Sequence, residues 1–508
     1  MPCDKWTELV DPISRLTGNQ ASNCDKLAHM TRGRIGARAL RDLLGDWRSD
    51  APAYESLSDR VRLLLLDGRI STGIRLPAER ELAESLELSR TTVAAAYRRL
   101  REAGFAASVQ GSGTTTQLPH GRPGLPAVTG TLIGFTHASL PATKLLSTVL
   151  DDELLDDYRG HFGTLGYDGI GQPELRAAIA DWYGRRGLPT DPDQIVVTTG
   201  SQSAIFLAAK ALVNRGDRVW AESPSYPNAY DALRDAGARL ITTPVTVEDG
   251  WDLTSLEAVF QRSAPTVAYT MPDFQNPTGR SMSVHDRERF LEAAAAAGTI
   301  VIADEATSEM DIDRRAVLPP IGTLADAHGA EVVLIGSASK QIWGGLRIGW
   351  LRATPQLARR IATHRGSSDL AVPVFEQLVV SRLLPRSAEI AEERREQLRA
   401  GRETARTAIA ELLPDWTFPP RLEGGLAAWV NLGAPVSSQL ALAAHARGLL
   451  VAAGPRFGMD GAFERNLRIP IAADPENLQR GLEVIAELWP SVNRLARPEF
   501  ESYAGTVA

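Results

Sequence analysis

The chain has 508 residues, 44% hydrophobic and 23% charged, with a formal net charge of −7. At about one domain per 100–200 residues this length predicts about two to four domains, and the balance is that of a globular protein rather than a disordered one. The acidic charge excludes a chain that coats nucleic acid along its whole surface, and no stretch approaches the roughly 18–20 uninterrupted apolar residues of a membrane span.

The amino-terminal stretch lacks a signal peptide's apolar centre, so the chain is expected in the cytoplasm. Cys3 and Cys24 lie in that polar stretch and can build neither a disulfide framework nor a Cys-rich zinc site, so no metal is expected. Residues 1–50 read as a polar arm. Within it Met30, an alternative start of translation, precedes a basic run from Arg32 to Trp47 that predicts a helix near 36–48.

Residues 51–118 predict a small α+β domain. Leu57, Val61, Leu64 and Leu65 recur at helical spacing over Ser56–Leu66, and Asp67-Gly68 ends that helix. Gly73 to Pro77 reads as a turn into a second helix, Ala78–Leu86. Leu88 packs the next turn, and Ser89 caps a third helix from Arg90 to about Ala103, where Gly104 stops it. Phe105 to Thr116 predicts a hairpin around Gln110-Gly111-Ser112-Gly113, whose glycines permit positive φ and close approach to a phosphate. Helices followed by a hairpin in this order make a winged helix-turn-helix. Its charge is locally positive: between Ser89 and Pro119, Arg90, Arg98, Arg99 and Arg101 meet only Glu102.

Pro119, Gly121, Pro123, Gly124 and Pro126 mark a stiffened linker over 119–130, which spans at most roughly 40 Å at about 3.3–3.6 Å per residue. In residues 131–508 helical patterns (Gln202–Asn214, Ser283–Ala297, Ser387–Leu412) alternate with β-branched runs (Ile195–Thr199, Arg218–Ala221, Thr266–Thr270, Ile300–Ala303, Val332–Ile335). Such alternation predicts an α/β domain with a mainly parallel central sheet.

Several of those runs end in residues of matching purpose, and ligands in open α/β sheets gather at strand ends. Ser337-Ala338-Ser339-Lys340, followed closely by Arg347, puts an amine among hydroxyls and a guanidinium. That set suits pyridoxal 5'-phosphate: the amine forms a Schiff base and the others hold the phosphate dianion. Ser201 and Gln202 open a helix after a strand, where amides meet phosphate. Tyr226 could lie on a flat heterocycle, and Asn276 at a constrained turn could donate to a phenolic oxygen. Asp304 could ionise opposite a pyridine nitrogen, and Arg468 could grip a carboxylate bidentately.

In their order and spacing these strings resemble the fold-type I aminotransferases over about residues 131–490. The resemblance implies that Lys340 is the Schiff-base lysine, Asp304 the pyridinium partner, Asn276 the O3' contact and Tyr226 the stacking ring. It implies further that Ser201, Gln202, Ser337, Ser339 and Arg347 hold the phosphate and that Arg468 anchors an effector carboxylate. Gly166-Tyr167-Asp168 looks like the segment whose tyrosine, here Tyr167, reaches the phosphate of a neighbouring subunit, which implies a homodimer. One departure stands out. The family usually carries a tyrosine shortly after the cofactor aspartate, whereas this chain has Glu305-Ala306-Thr307. That loss is expected to weaken transamination while leaving covalent attachment intact, unless Tyr269 substitutes from the adjacent strand.

Leu76 to Ala83, Leu88 to Val93 and Ala96 to Leu100 resemble the GntR winged helix. The resemblance implies that Arg90, Thr91 and Thr92 head a recognition helix, with Ser89 beside them, while Val93, Tyr97 and Leu100 form an apolar seam. Arg75, Arg80, Arg98 and Arg101 would flank the DNA backbone, and Gly111, Ser112 and Gly113 would bring a wing to the minor groove. Tyr97 is counted with the DNA-facing set as well as with the seam. A GntR helix-turn-helix fused to an aminotransferase-like domain is the arrangement of the MocR/GabR regulators. It implies a regulator that binds promoter DNA and senses an amino compound or the cofactor itself. The different-class alternative is a working aminotransferase.

Overall fold

The computed structural model describes residues 34–45, 47–48, 51–66, 69–70, 73–109, 113–117, 133–314, 318–459 and 461–494. Cys3, Cys24, Met30, Gly111, Ser112 and the linker over 119–130 lie outside the described residues. The chain forms two compact units, one holding the described residues up to 117 and the other those from 133 onward.

In the smaller unit the described helices are Ala37–Leu44, Ala53–Leu66, Glu79–Leu86 and Arg90–Glu102. Leu57, Val61 and Leu64 from the second, Leu82 and Leu86 from the third, and Val93, Tyr97 and Leu100 from the fourth meet in one core. Three- and four-residue spacing lines each apolar set on one helix face. Ala106–Val109 pairs antiparallel with Gly113–Thr116. The Gly73–Pro77 segment differs from the expected turn. It is extended, with Leu76 N–H bonded to Thr114 O (2.9 Å) and Thr116 N–H to Ile74 O (2.9 Å). Arg75 therefore forms an extra rung against the hairpin at Thr115.

The larger unit is built on an eight-stranded sheet. Its order is Ile195–Thr198, Gly349–Arg352, Val332–Ser337, Ile300–Asp304, Val267–Thr270, Arg218–Ser223, Arg239–Thr246 and Gly250–Trp251. Gly349–Arg352 and Gly250–Trp251 run antiparallel to their neighbours and the remaining pairings are parallel. The sheet is mainly parallel, as its β-branched runs and helical crossovers require. Helices cover both faces, which gives two apolar cores, one around Trp220, Phe290 and Trp350 and another around Ile205, Tyr230 and Ile302. A third core joins Ser387–Leu412 and Pro475–Arg494 to a small sheet of Ala428–Asn431, Asn466–Ile469 and Ala452–Ala453.

The expected helices at 202–214, 283–297 and 387–412 appear as Ser201–Leu212, Val284–Ala297 and Ser387–Leu412. Ser283 and Asp286 form a capping box at the second of these. The antiparallel strand Gly349–Arg352 and the small sheet go beyond the sequence reading, being short and without alternation.

Candidate functional site

Parallel strands point their carboxyl ends at one edge of a sheet, so the segments that follow them share that edge. Gly200 and Ser201 follow Ile195–Thr198, Tyr226 follows Arg218–Ser223, Asn276 follows Val267–Thr270, Asp304 closes Ile300–Asp304, and Lys340 follows Val332–Ser337. The sheet register sets Ile335 beside Asp304, and Ser337 and Thr198 on either side of Gly349.

Asp304 is buried; Oδ1 accepts from Ala306 N–H (2.9 Å) and Oδ2 from the Tyr269 hydroxyl (2.9 Å). Burial raises its carboxyl above the usual range, while these donors and the Lys340 ammonium oppose the shift. Tyr269, on the adjacent strand, is thus the phenol that reaches this carboxylate. Burial and the charge of Asp304 hold its hydroxyl well above the ordinary tyrosine value, so it stays a donor.

Lys340 lies in the short helix Ala338–Gln341. Its Nζ donates to Ala138 O (2.9 Å) and Ser139 Oγ (3.2 Å). Burial, with Arg468 and Arg347 nearby, lowers its ammonium to about 8 against the pull of Asp304. An amine tuned this way has a substantial neutral fraction near neutrality and is a competent nucleophile.

Arg468 projects from Asn466–Ile469, its guanidinium 5.0 Å from the centroid of the Phe457 ring. It donates to Thr136 O (2.5 Å) and lies 3.5 Å from Asn276 Oδ1, while its buried Nε has no partner. Burial lowers it to about 10, opposed by the Tyr226 phenol. A buried cation held by neutral groups is an incomplete pair that a carboxylate would complete. One short segment, Thr136–Ser139, thus lies across both cations through backbone carbonyls, an arrangement with no signal in the sequence.

Around Gly200 the chain forms a cradle. Gly200 has φ +79°, and a Cβ there would stand 2.4 Å from Arg347 Nη2. A Cβ on Gly349 would stand 2.5 Å from Ser201 N. Only glycines let Arg347 and the amino terminus of Ser201–Leu212 come together. Arg347 donates to Thr199 O (3.3 Å) and Gly344 O (3.4 Å). Ser339 Oγ and Gln202 Oε1 are buried without partners, whereas Ser337 Oγ accepts from Ser339 N–H (3.1 Å) and caps its helix. Tyr226 Oη accepts from Asn228 Nδ2 (3.0 Å), and its half-buried ring packs against the core around Ile205 and Ile302. A helix amino terminus, a guanidinium and an unpartnered hydroxyl in a glycine-lined cradle fit a phosphate. The amine, the acid and the second cation fit an aldehyde, a pyridine nitrogen and a carboxylate. Tyr167 stands apart, 76% exposed.

In the smaller unit Ser89 Oγ accepts from Thr92 N–H (3.0 Å) and lies 2.7 Å from the hydroxyls of Thr91 and Thr92. Arg90 and Arg98 are exposed on the same helix; Arg90 lies 3.6 Å from Glu79. Exposed Arg80 is loosely paired with Glu84 (3.9 Å) and Arg101 reaches Thr114 Oγ1 (3.4 Å). The Arg75 guanidinium packs on Gly113, φ +82°, where a Cβ would stand 3.0 Å from its Nε. Tyr97 corrects the sequence reading: it is 1% exposed and donates to Pro77 O (3.0 Å), so it holds the helix on its core and has no face for DNA.

Residues 155–485 match the family description "Aminotransferase class I and II" and residues 53–115 match "Bacterial regulatory proteins, gntR family". The chain is similar to the probable rhizopine catabolism regulatory protein MocR of Rhizobium meliloti, at 31% identity over 64% of this chain and 70% of that protein. It is similar to the uncharacterized HTH-type transcriptional regulator YdfD of Bacillus subtilis at 25% identity over 85% of this chain and 95% of that one. Among solved structures it is similar to LysN, the alpha-aminoadipate aminotransferase of Thermus thermophilus, complexed with N-(5'-phosphopyridoxyl)-L-leucine. The identity there is 29% and the TM-score 0.64, over 72% of this chain and 93% of that chain. The chain belongs to the aminotransferase class I and II family, joined here to a helix-turn-helix domain of the gntR regulatory family.

Proposed function

We propose that the chain is a pyridoxal 5'-phosphate-dependent transcriptional regulator: its smaller unit binds promoter DNA and its larger unit senses an amino compound. The observation that carries this reading is the convergence of Lys340, Asp304, Asn276 and Arg468 on the sheet edge that also holds the Gly200–Ser201 cradle, in a chain with a GntR match. When bound, the cofactor supplies an aldehyde for amines and an electron-poor ring. Lys340 would hold it covalently, and Asp304 would keep its ring nitrogen protonated. Asn276 would donate to its O3' and Tyr226 would lie on its ring. Arg347, Ser201, Gln202, Ser337 and Ser339 would hold its phosphate, with Tyr167 reaching that of a second copy in a homodimer. Arg468 would take the effector's carboxylate.

An effector carboxylate at Arg468 competes with Thr136 O, and covalent use of Lys340 competes with Ala138 O. Both carbonyls lie shortly after the linker over 119–130, so effector binding has a covalent route back toward the DNA-reading unit. A coupling of about 1–3 kcal/mol is enough for regulation. Arg90, Thr91 and Thr92 would read bases, and Arg75, Arg80, Arg98 and Arg101 would hold phosphates. The DNA-reading domain would span 51–118 and the effector domain 131–508. Absorbance of the purified protein titrated with pyridoxal 5'-phosphate, alongside gel shift of the promoter upstream of its gene, tests the reading. Loss of the covalent band in Lys340→Ala with retained DNA binding supports it; DNA binding indifferent to cofactor and amino compounds counts against it. The alternative, an active aminotransferase, is favoured by the likeness to LysN; rapid consumption of an amino acid with 2-oxoglutarate would support it.

A further inference from the structure

Glu222 is the penultimate residue of the strand Arg218–Ser223 and has no exposed surface. Its carboxylate is met by neutral donors from separate segments. Oε1 accepts from Trp251 Nε1 (2.8 Å), Thr270 Oγ1 (2.5 Å) and Met271 N–H (3.0 Å); Oε2 accepts from Gln275 Nε2 (3.1 Å) and Ser225 Oγ (3.4 Å). Ser225 and Gln275 each precede a residue of the candidate site, Tyr226 and Asn276. Gln275 is fixed in turn: its Nε2 also donates to Pro224 O (2.6 Å), and its Oε1 accepts from Thr278 N–H (3.1 Å) and Oγ1 (2.7 Å). Ser225 N–H donates to the carbonyl of Phe457, whose ring lies beside Arg468.

We propose that Glu222 is a positioning residue for the cofactor site, a buried carboxylate that locks the Tyr226 loop to the Asn276 loop and so sets the gap between ring-stacking and O3' contacts. The inference rests on the pyridoxal 5'-phosphate reading. A carboxylate suits this place because the Trp251, Met271 and Gln275 groups that meet it can only donate; burial pushes it above the usual carboxylate range and these donors oppose the rise. Its charge also adds to burial and to Asp304 in keeping the Tyr269 phenol protonated and donating to Asp304. An amide cannot replace it. With oxygen kept toward Trp251, Thr270 and Met271, the nitrogen of Glu222→Gln faces the Gln275 NH2 group, donor against donor. Flipping Gln275 would set its oxygen against Pro224 O and its NH2 against the Thr278 donors.

The test titrates the full-length protein with pyridoxal 5'-phosphate and follows the pH dependence of the bound cofactor's absorption. Glu222→Gln and Gln275→Leu are expected to weaken cofactor binding by about tenfold or more, as loss of supporting hydrogen bonds does around other bound groups, and to shift the pH midpoint of the band. Trp251→Phe removes a donor that belongs to neither loop and is expected to lower thermal stability while leaving affinity and midpoint near wild type. If Glu222→Gln does not fold, Gln275→Leu against Trp251→Phe carries the comparison. Affinity and midpoint unchanged in Glu222→Gln or Gln275→Leu, or lost equally in Trp251→Phe, overturn the positioning role. A wild-type protein that forms no covalent band overturns the cofactor reading instead.

Discussion

Lys340 and Arg468 are two cations of the candidate site, and each is shifted by burial in a direction that makes it responsive. With its ammonium near 8, Lys340 should capture pyridoxal 5'-phosphate faster as pH rises from neutrality, with a midpoint near 8; stopped-flow absorbance reads it, and a midpoint at the ordinary lysine value of about 10.4 would contradict the environment described. Arg468→Met removes a buried guanidinium whose Nε is unpartnered, so the large unit should be as stable or more stable. The same change should remove about 2 kcal/mol or more of carboxylate-dependent binding, seen as lost discrimination between an amino acid and its decarboxylated amine. Glu305 offers a pH test of the scaffold. Burial raises it to about 7 against Arg186 and Arg287, with Asp273 adding to the rise. The folded state thus binds its proton more tightly than the unfolded chain, so stability declines as pH climbs from about 4.3 toward the folded value. Denaturation of Glu305→Gln across that window should show a flatter profile; an unchanged slope would assign the decline to other groups. Most residues of the candidate site were legible because strand ends plus chemistry name them. Glu222 was not, because an acid near the end of a strand reads as a surface residue until the donors folded around it are seen.

At the scale of elements, the recognition helix rests on a cap and a seam. Ser89→Ala removes the acceptor of Thr92 N–H and should destabilise the smaller unit by about 1 kcal/mol in denaturant titration. Arg90→Ala should weaken promoter binding by about 1–3 kcal/mol if it reads a base. Tyr97→Phe should leave affinity near wild type, since that residue faces the core; a loss matching Arg90→Ala would restore it to the DNA-facing set. Most helix limits were readable to within a residue or two from caps and periodicity, but the helix expected from Ser56 begins at Ala53 and the one expected near 36–48 ends at Leu44. The rung at Arg75 was not: a Gly-to-Pro segment carries turn residues, and its extended form comes from tertiary pairing with the hairpin at Thr114 and Thr116. Gly349–Arg352 was hidden for a related reason, being a four-residue strand beside the phosphate cradle whose antiparallel pairing depends on strands distant in sequence.

For the whole molecule, the sequence showed two kinds of domain because their patterns differ: helices with a hairpin before the prolines, alternating α and β after them. It did not show the contact of Thr136–Ser139 with Lys340 and Arg468, since backbone carbonyls leave no mark in side-chain chemistry. Among the described residues no helix is long and apolar enough to cross a membrane. Phe162, Leu165 and Tyr167 are exposed along one stretch at 68%, 90% and 76%, an apolar run that a second copy would cover. Sedimentation is expected to give two chains, and Leu165→Glu to shift the balance toward one. Covalent chemistry at the Lys340 amine underlies the regulator reading. Borohydride reduction of the protein incubated with pyridoxal 5'-phosphate, followed by peptide mass mapping, should place the pyridoxyl group on the peptide containing Lys340. A label on Lys144 or Lys210 alone, or none at all, would contradict it.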